Sequence, residues 1–232
     1  MNRIGIIGAM EEEVVQLKAK MQVEKIVERA CMEFYQGILN GKEVVVVRSG
    51  IGKVNAGICT QILADTFQVD AIINTGIAGS LQAEINIGDL VISSDAVQHD
   101  MDAREFGYER GQIPRMDTLS FPADKELIAA AAAACQKVNP EISTFVGRVV
   151  TGDQFIASRQ VKDEIKSWTE GLCTEMEGAA VAQVAYLNQI PFVILRAISD
   201  KADDSATVDY PTFEKQAILH SVRLVENLMT RI

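Results

Sequence analysis

Three short segments of this chain set carboxylates beside apolar runs: Gly8-Ala-Met-Glu-Glu-Glu-Val14, Glu175-Met-Glu-Gly-Ala-Ala180 and Arg196-Ala-Ile-Ser-Asp200. An acid taken out of water resists ionisation, and a carboxyl with a raised pKa suits proton transfer near neutral pH. The pattern points to acid and base chemistry by carboxylates. Helical spacing separates the acids of the first segment. Met10, Glu13, Val14 and Leu17 follow i, i+3, i+4, i+7, the apolar face of a helix. Glu12 shares a stripe with Gln16 and Lys20, and Glu11 falls at the boundary with Val15 and Lys18. Glu13 is therefore the acid expected to point inward, while Glu11 and Glu12 complement the positive end of a helix dipole.

The second segment repeats this logic. Glu177, Ala180, Val181 and Val184 share one stripe, so Glu177 opens a helix on its buried face, and Glu175 sits nearer the preceding strand end. Taken alone, a charge at a helix start is the simpler account of both. Asp200 ends the apolar run from Phe192, at the carboxyl end of a strand, where ligands bind in open α/β sheets. Arg196 interrupts that run. A guanidinium inside a sheet requires a carboxylate partner; Glu13 or Glu177 can supply it, as a structural ion pair or as part of a site.

Glycine-rich turns are the second kind of signal. Gly5-Ile-Ile-Gly8-Ala-Met-Glu11 fails as a dinucleotide fingerprint, because a glutamate takes the third glycine position and three acids repel a pyrophosphate. Ser49-Gly-Ile-Gly-Lys53 follows a strand and opens a helix, which leaves backbone N–H groups for an anion or for hydroxyls, but it lacks P-loop spacing. Asn74-Thr-Gly-Ile-Ala-Gly79 reads as a strand-end turn suited to close backbone approach.

The elements that must position these groups alternate. Arg3–Gly8, Ala71–Thr75, Asp89–Ala96, Phe145–Thr151 and Pro191–Ile198 read as strands. Phe34–Leu39 and Glu43–Ser49 form a hairpin about Asn40-Gly41. Helices are expected at Met10–Met21, Lys53–Phe67, Asp124–Lys137, Glu177–Leu187 and Thr212–Met229. This order gives an α/β fold with a parallel or mixed central sheet covered by helices. Gln98–Pro122 is long and irregular, as functional or interface-forming loops often are.

Bulk properties set the limits. At 232 residues without a Pro/Ser-rich or charged linker, one domain spanning 1–232 is expected. A net charge of -10 argues against nucleic acid or an anionic membrane as the main partner. Four scattered cysteines and no signal-peptide or membrane-spanning run read as a reducing, cytoplasmic setting. Only two histidines, His99 and His220, and no H-E-x-x-H make a histidine-built zinc site a poor fit.

Taken together, the ordered motifs resemble one family: Gly5 to Glu13, Ser49-Gly-Ile-Gly-Lys53, Ile73-Asn-Thr-Gly-Ile-Ala-Gly79, Phe106-Gly-Tyr108, Thr151-Gly-Asp-Gln-Phe-Ile156, Glu175-Met-Glu177 and Arg196-Ala-Ile-Ser-Asp200. The chain resembles the 5′-methylthioadenosine/S-adenosylhomocysteine nucleosidases of the nucleoside phosphorylase superfamily, from residue 3 to about Phe213. The resemblance implies a three-layer α/β/α fold with a central mixed sheet. It implies a homodimer, no cofactor and no metal, and hydrolysis of the adenine–ribose bond. By the same resemblance Glu13 activates water, Asp200 protonates adenine N7 and Glu177 holds the ribose hydroxyls. Phe155 stacks on the base and Ile156 meets it through its backbone. Met10, Ile51 and Met176 line the sugar and thioalkyl side, with Ile77, Arg196 and Ser199 also at the substrate. Ala103, Phe106 and Pro114 are lent to the partner's pocket. Two departures stand out: Tyr210 where phenylalanine is usual beside the thioalkyl group, and Ile77 where serine is frequent.

A phosphorylase calls for arginine or lysine at the first motif, which here holds three glutamates. A nucleosidase for another 5′-modified adenosine, such as aminodeoxyfutalosine, shares the same motifs. A non-catalytic nucleoside binder has no need of Glu13, Glu177 and Asp200 together.

Overall fold

A computed structural model describes residues 1–232. Its strands are β1 (Arg3–Gly8), β2 (Gln22–Arg29), β3 (Met32–Leu39), β4 (Lys42–Arg48), β5 (Ala71–Ser80), β6 (Leu90–Gln98), β7 (Phe121–Pro122), β8 (Thr144–Thr151), β9 (Cys173–Glu175) and β10 (Phe192–Asp200). Its helices are α1 (Glu11–Lys20), α2 (Lys53–Asp65), α3 (Lys125–Val138), α4 (Arg159–Thr169), α5 (Gly178–Leu187) and α6 (Ala206–Leu228). All ten strands join one mixed sheet. Two apolar cores lie on its two faces, one joining β1 and β5 residues to α1, α3 and α6, the other to α2 and α5. This is the three-layer α/β/α arrangement.

The pairing pattern creates the site. β5 runs parallel to β10 along one edge, from Ile72 to Gly79. Its other edge is shared: β1 pairs up to Asn74, and β9 takes over only at Gly79. Between those points the edge of β5 has no strand beside it. β9, β8, β6 and β10 then close a circuit back to β5. The gap is a switch point at the carboxyl ends of β1, β5 and β10, where α/β proteins place ligands.

Most expected elements are present within a residue or two, and three differences have physical causes. β5 continues to Ser80, with all ten residues buried, so Asn74–Gly79 is strand and not a turn. Its glycines mark close approach by side chains: a Cβ at Gly76 would stand 2.5 Å from Glu13 Oε1, and one at Gly79 would stand 2.7 Å from Asp200 Oδ1. β2 was not expected, because it is an exposed edge strand in which charges interrupt the apolar alternation, a common guard against edge-to-edge pairing. α6 begins before Thr212 and carries Pro211 inside it; the Thr212 hydroxyl donates to Val208 O at 2.8 Å beside the missing N–H. The turn at Asn40-Gly41 has φ of 49° and 82°, as a two-residue hairpin demands. No helix is long and apolar enough to cross a membrane.

Candidate active site

The gap beside β5 opens into a cavity of about 400 Å³, in the size range of small-molecule sites. Glu13, Glu177 and Asp200, the acids singled out by spacing, line it together. Met10, Ile51, Ile77 and Met176 line it as well, as do Phe155, Ile156, Ser199 and Tyr210. Ala103, Phe106 and Pro114 are not part of its wall. Phe106 is 84% exposed, on the short turn Arg104–Phe106.

Glu13 enters from the first turn of α1. Its carboxylate accepts N–H bonds from Ala9 (2.7 Å), Met10 (3.0 Å) and, across the gap, Ile77 (3.2 Å). The free edge of β5 is therefore used to hold an acid. Burial raises the Glu13 pKa, opposed by the charge of Arg196 and by those three N–H groups. Glu11 and Glu12 are exposed; Glu11 pairs with Lys18 at 2.9 Å.

Glu177 caps the start of α5. It accepts the Gly52 N–H at 2.8 Å, and the Lys53 N–H goes to Asp153 at 2.8 Å. The Ser49 and Gly50 N–H groups go to the Gly8 and Ala9 carbonyls (2.9 and 3.1 Å), so these four N–H groups serve the protein's own acceptors. Burial, and then the charge of Glu175, push Glu177 up to about 8. That gives a testable sign. A carboxyl with an ordinary pKa near 4.5 when unfolded and about 8 when folded weakens the fold progressively as pH rises from 4.5 to 8. Glu177→Gln should therefore raise the melting temperature of the free protein, with a gain that grows across that window. A gain independent of pH would contradict it.

Arg196 departs from expectation. It is buried, and its guanidinium pairs with Glu175 and with Asn74 Oδ1 (2.5 Å), not with Glu13 or Glu177. It does not line the cavity. Glu175 also accepts the Glu177 and Gly178 N–H groups (3.1 and 2.7 Å) and the Thr151 hydroxyl, which itself accepts the Ala179 N–H at 2.7 Å. Arg196 is a counter-charge behind the acids: it pairs with Glu175 and tempers the rise at Glu13 and Glu177. Glu175, which spacing places nearer the end of the preceding strand, forms part of the cavity wall.

Asp200 ends β10, buried, with Oδ1 accepting the Ala202 N–H (2.8 Å) and Oδ2 the Ser199 hydroxyl (2.9 Å). Burial raises its pKa against those two donors. Tyr210, on α6, meets the Phe155 ring edge-on at 5.8 Å, and its hydroxyl donates to Glu214 at 3.2 Å. The wall also takes in Ala9, Ala78, Gly79, Gln154 and Thr174, of which Ala78 and Gly79 belong to the segment whose glycines point to close approach. Ala9, Gln154 and Thr174 carry no chemical flag of their own, and only the fold brings them in.

A cavity with three raised-pKa acids on separate elements, an aromatic rim and no basic lining residue suits a neutral ring-bearing ligand handled by proton transfer. The sequence model of the phosphorylase superfamily matches residues 3–230. A 5′-methylthioadenosine/S-adenosylhomocysteine nucleosidase of Staphylococcus aureus is 44% identical over 230 residues, spanning 99% of this chain and 100% of that one. The enzyme of that name from Neisseria meningitidis, solved with methylthio-immucillin-A, superposes with a TM-score of 0.96 at 37% identity, over 100% of both chains. The futalosine hydrolase of Helicobacter pylori superposes at 0.94 with 30% identity, over 100% of this chain and 98% of that one. The chain therefore belongs to the phosphorylase superfamily and, within it, to the 5′-methylthioadenosine/S-adenosylhomocysteine nucleosidases.

Proposed function

We propose that this chain, as one catalytic domain, uses water to cleave the N-glycosidic bond of 5′-methylthioadenosine and of S-adenosylhomocysteine, releasing adenine and the 5′-thioribose. The observation that carries the reading is the convergence of Glu13, Glu177 and Asp200 on one cavity lined by apolar and aromatic groups. Adenine leaves poorly as an anion. A buried acid with a raised pKa, Asp200, protonates N7 and makes the leaving group neutral. The ribose then gains oxocarbenium character, which nearby carboxylates stabilise more than they stabilise the ground state. Glu177 receives the ribose hydroxyls, whose donated hydrogen bonds favour its ionised form. Glu13, held by the Ala9 and Met10 N–H groups and by the Ile77 N–H on the free edge of β5, takes a proton from the attacking water. This is the two-carboxylate logic of inverting glycosidases applied to an N-glycoside.

The 44% identity to a thioadenosine nucleosidase over 99% of this chain supports the thioadenosines as substrates. The deciding experiment is adenine release from 5′-methylthioadenosine in phosphate-free buffer containing a chelator. Full activity is expected there. Dependence on phosphate would make the protein a phosphorylase, and loss with chelator would place a metal in the reaction. The products fit recycling of S-adenosylmethionine by-products, including methionine salvage, in the cytoplasm.

The active form is a homodimer on this reading. Two cavity residues are half-exposed, Ile51 and Phe155, so this wall is open to one side. Beside it α2 presents Val54 (72% exposed) and Ile58, α5 presents Tyr186 and Leu187, and Phe106 stands out from its loop. A partner covering this surface lends Ala103, Phe106 and Pro114 to the thioalkyl end. Sedimentation should show a dimer, and Phe106→Ala should raise KM for 5′-methylthioadenosine about tenfold, the loss of one buried aromatic contact. A fully active monomer, or an unchanged KM, contradicts this.

A further inference from the structure

Six buried side-chain polar atoms lack a hydrogen-bond partner: His99 Nε2, Arg110 Nε, Asn139 Oδ1, Trp168 Nε1, Thr174 Oγ1 and Arg196 Nε. Of these residues only Thr174 forms part of the cavity wall. It is 5% exposed, and its neighbours supply no polar partner. On one side it pairs with Val150 of β8, which belongs to the apolar cluster of Leu81, Ile156 and Ala202. On the other it pairs with Gly79 of β5, which has no side chain. A buried hydroxyl without a partner is costly, and a valine would fill the same space without that cost. A threonine here calls for something that completes its hydrogen bond.

The register says where that something lies. Gly79 pairs with Thr174 on one edge and with Asp200 on the other. Thr174 and Asp200 therefore stand two strand spacings apart, roughly 10 Å, with only a glycine between them. The Asp200 carboxyl leans over that glycine, since a Cβ there would stand 2.7 Å from Oδ1. A flat bicyclic base bonded to Asp200 through N7 spans such a gap and turns its far edge toward Thr174. That edge carries ring nitrogens N1 and N3, both acceptors, and a hydroxyl can donate to either.

We propose that Thr174 is a base-positioning residue whose hydroxyl donates to a six-membered-ring nitrogen of the bound adenine, opposite the proton delivered by Asp200. The proposal rests on the nucleosidase reading for the orientation of the base. It gives the site a donor at each end of the purine, so the base is held in register while N7 is protonated.

The test combines Thr174→Val and Thr174→Ser with adenine, 1-deazaadenine and 3-deazaadenine, and with the corresponding methylthio-nucleosides. Calorimetry measures affinity for the free bases, independently of turnover. Thr174→Val should weaken adenine binding about tenfold, the worth of one buried hydrogen bond, and Thr174→Ser should restore most of it. The penalty of the valine should vanish with whichever deaza base lacks the contacted nitrogen. The free Thr174→Val protein should melt no lower than the parent. Adenine affinity within twofold of the parent, or a valine penalty equal for all three bases, overturns the proposal. Absence of adenine release by the parent enzyme, with the base affinities behaving as described, would instead remove the nucleosidase reading and leave the hydroxyl contact standing.

Discussion

Asp200→Asn should lose turnover by ~10²–10⁴-fold, about 3–5 kcal/mol of transition-state stabilisation, while substrate affinity changes little. Asparagine keeps the size of the side chain and an oxygen to accept the Ala202 N–H, which Asp200 holds at 2.8 Å. It has no acid proton to deliver to N7, so adenine must leave as an anion. The sign of the pH dependence follows from burial, which raises the Asp200 pKa above the ordinary carboxylate range. The acid form persists to higher pH than a solvated aspartic acid allows, and kcat/KM should fall as pH rises through that value in the parent enzyme. In Asp200→Asn the residual rate should lack this limb. The fold should not suffer: an ionised Asp200 weakens the native state above its unfolded pKa near 3.8, and a neutral amide removes that penalty. Turnover and affinity measured on the same preparation decide the matter. Near-normal turnover would falsify the leaving-group mechanism.

How much of this was legible in the sequence depends on the kind of signal. Glu13 was readable because one helical turn separates three adjacent acids onto different faces, and only one of those faces is apolar. Glu177 and Asp200 were readable as charges ending or opening apolar elements. The partner of Arg196 was not. Helical and strand periods order side chains within one element, whereas the pairing of Arg196 with Glu175 and Asn74 depends on which strands become neighbours. The glycines of Asn74–Gly79 misled for a related reason. Glycine signals a turn or a close approach, and the choice between them requires the Glu13 and Asp200 carboxyls that approach. Thr174 carried no signal at all, since a threonine in a strand is ordinary until its hydroxyl is found without a partner at a cavity wall.

The second large effect is expected at Glu13, and its contrast with a neighbour makes it informative. Glu13→Gln should reduce adenine release by a further ~10²–10⁴-fold effect of its own, because the water loses its base. The amide also disturbs the local geometry. The Glu13 carboxylate accepts on both oxygens, Oε2 from Ala9 and Met10 and Oε1 from Ile77. Glutamine offers one oxygen and one NH₂, so at least one of these three backbone N–H groups must face a donor. Substrate binding should therefore weaken modestly alongside the loss of rate, unlike Asp200→Asn. Glu12→Gln should leave kcat and KM within about twofold, as exposed substitutions away from caps and ion pairs usually do. The two substitutions are chemically identical and adjacent in the chain, so helix propensity, net charge and the dipole of α1 change alike in both. Only the face differs. Equal damage at Glu12 and Glu13 would mean that the charge of the helix start, and not a carboxylate poised over the free edge of β5, sustains the reaction.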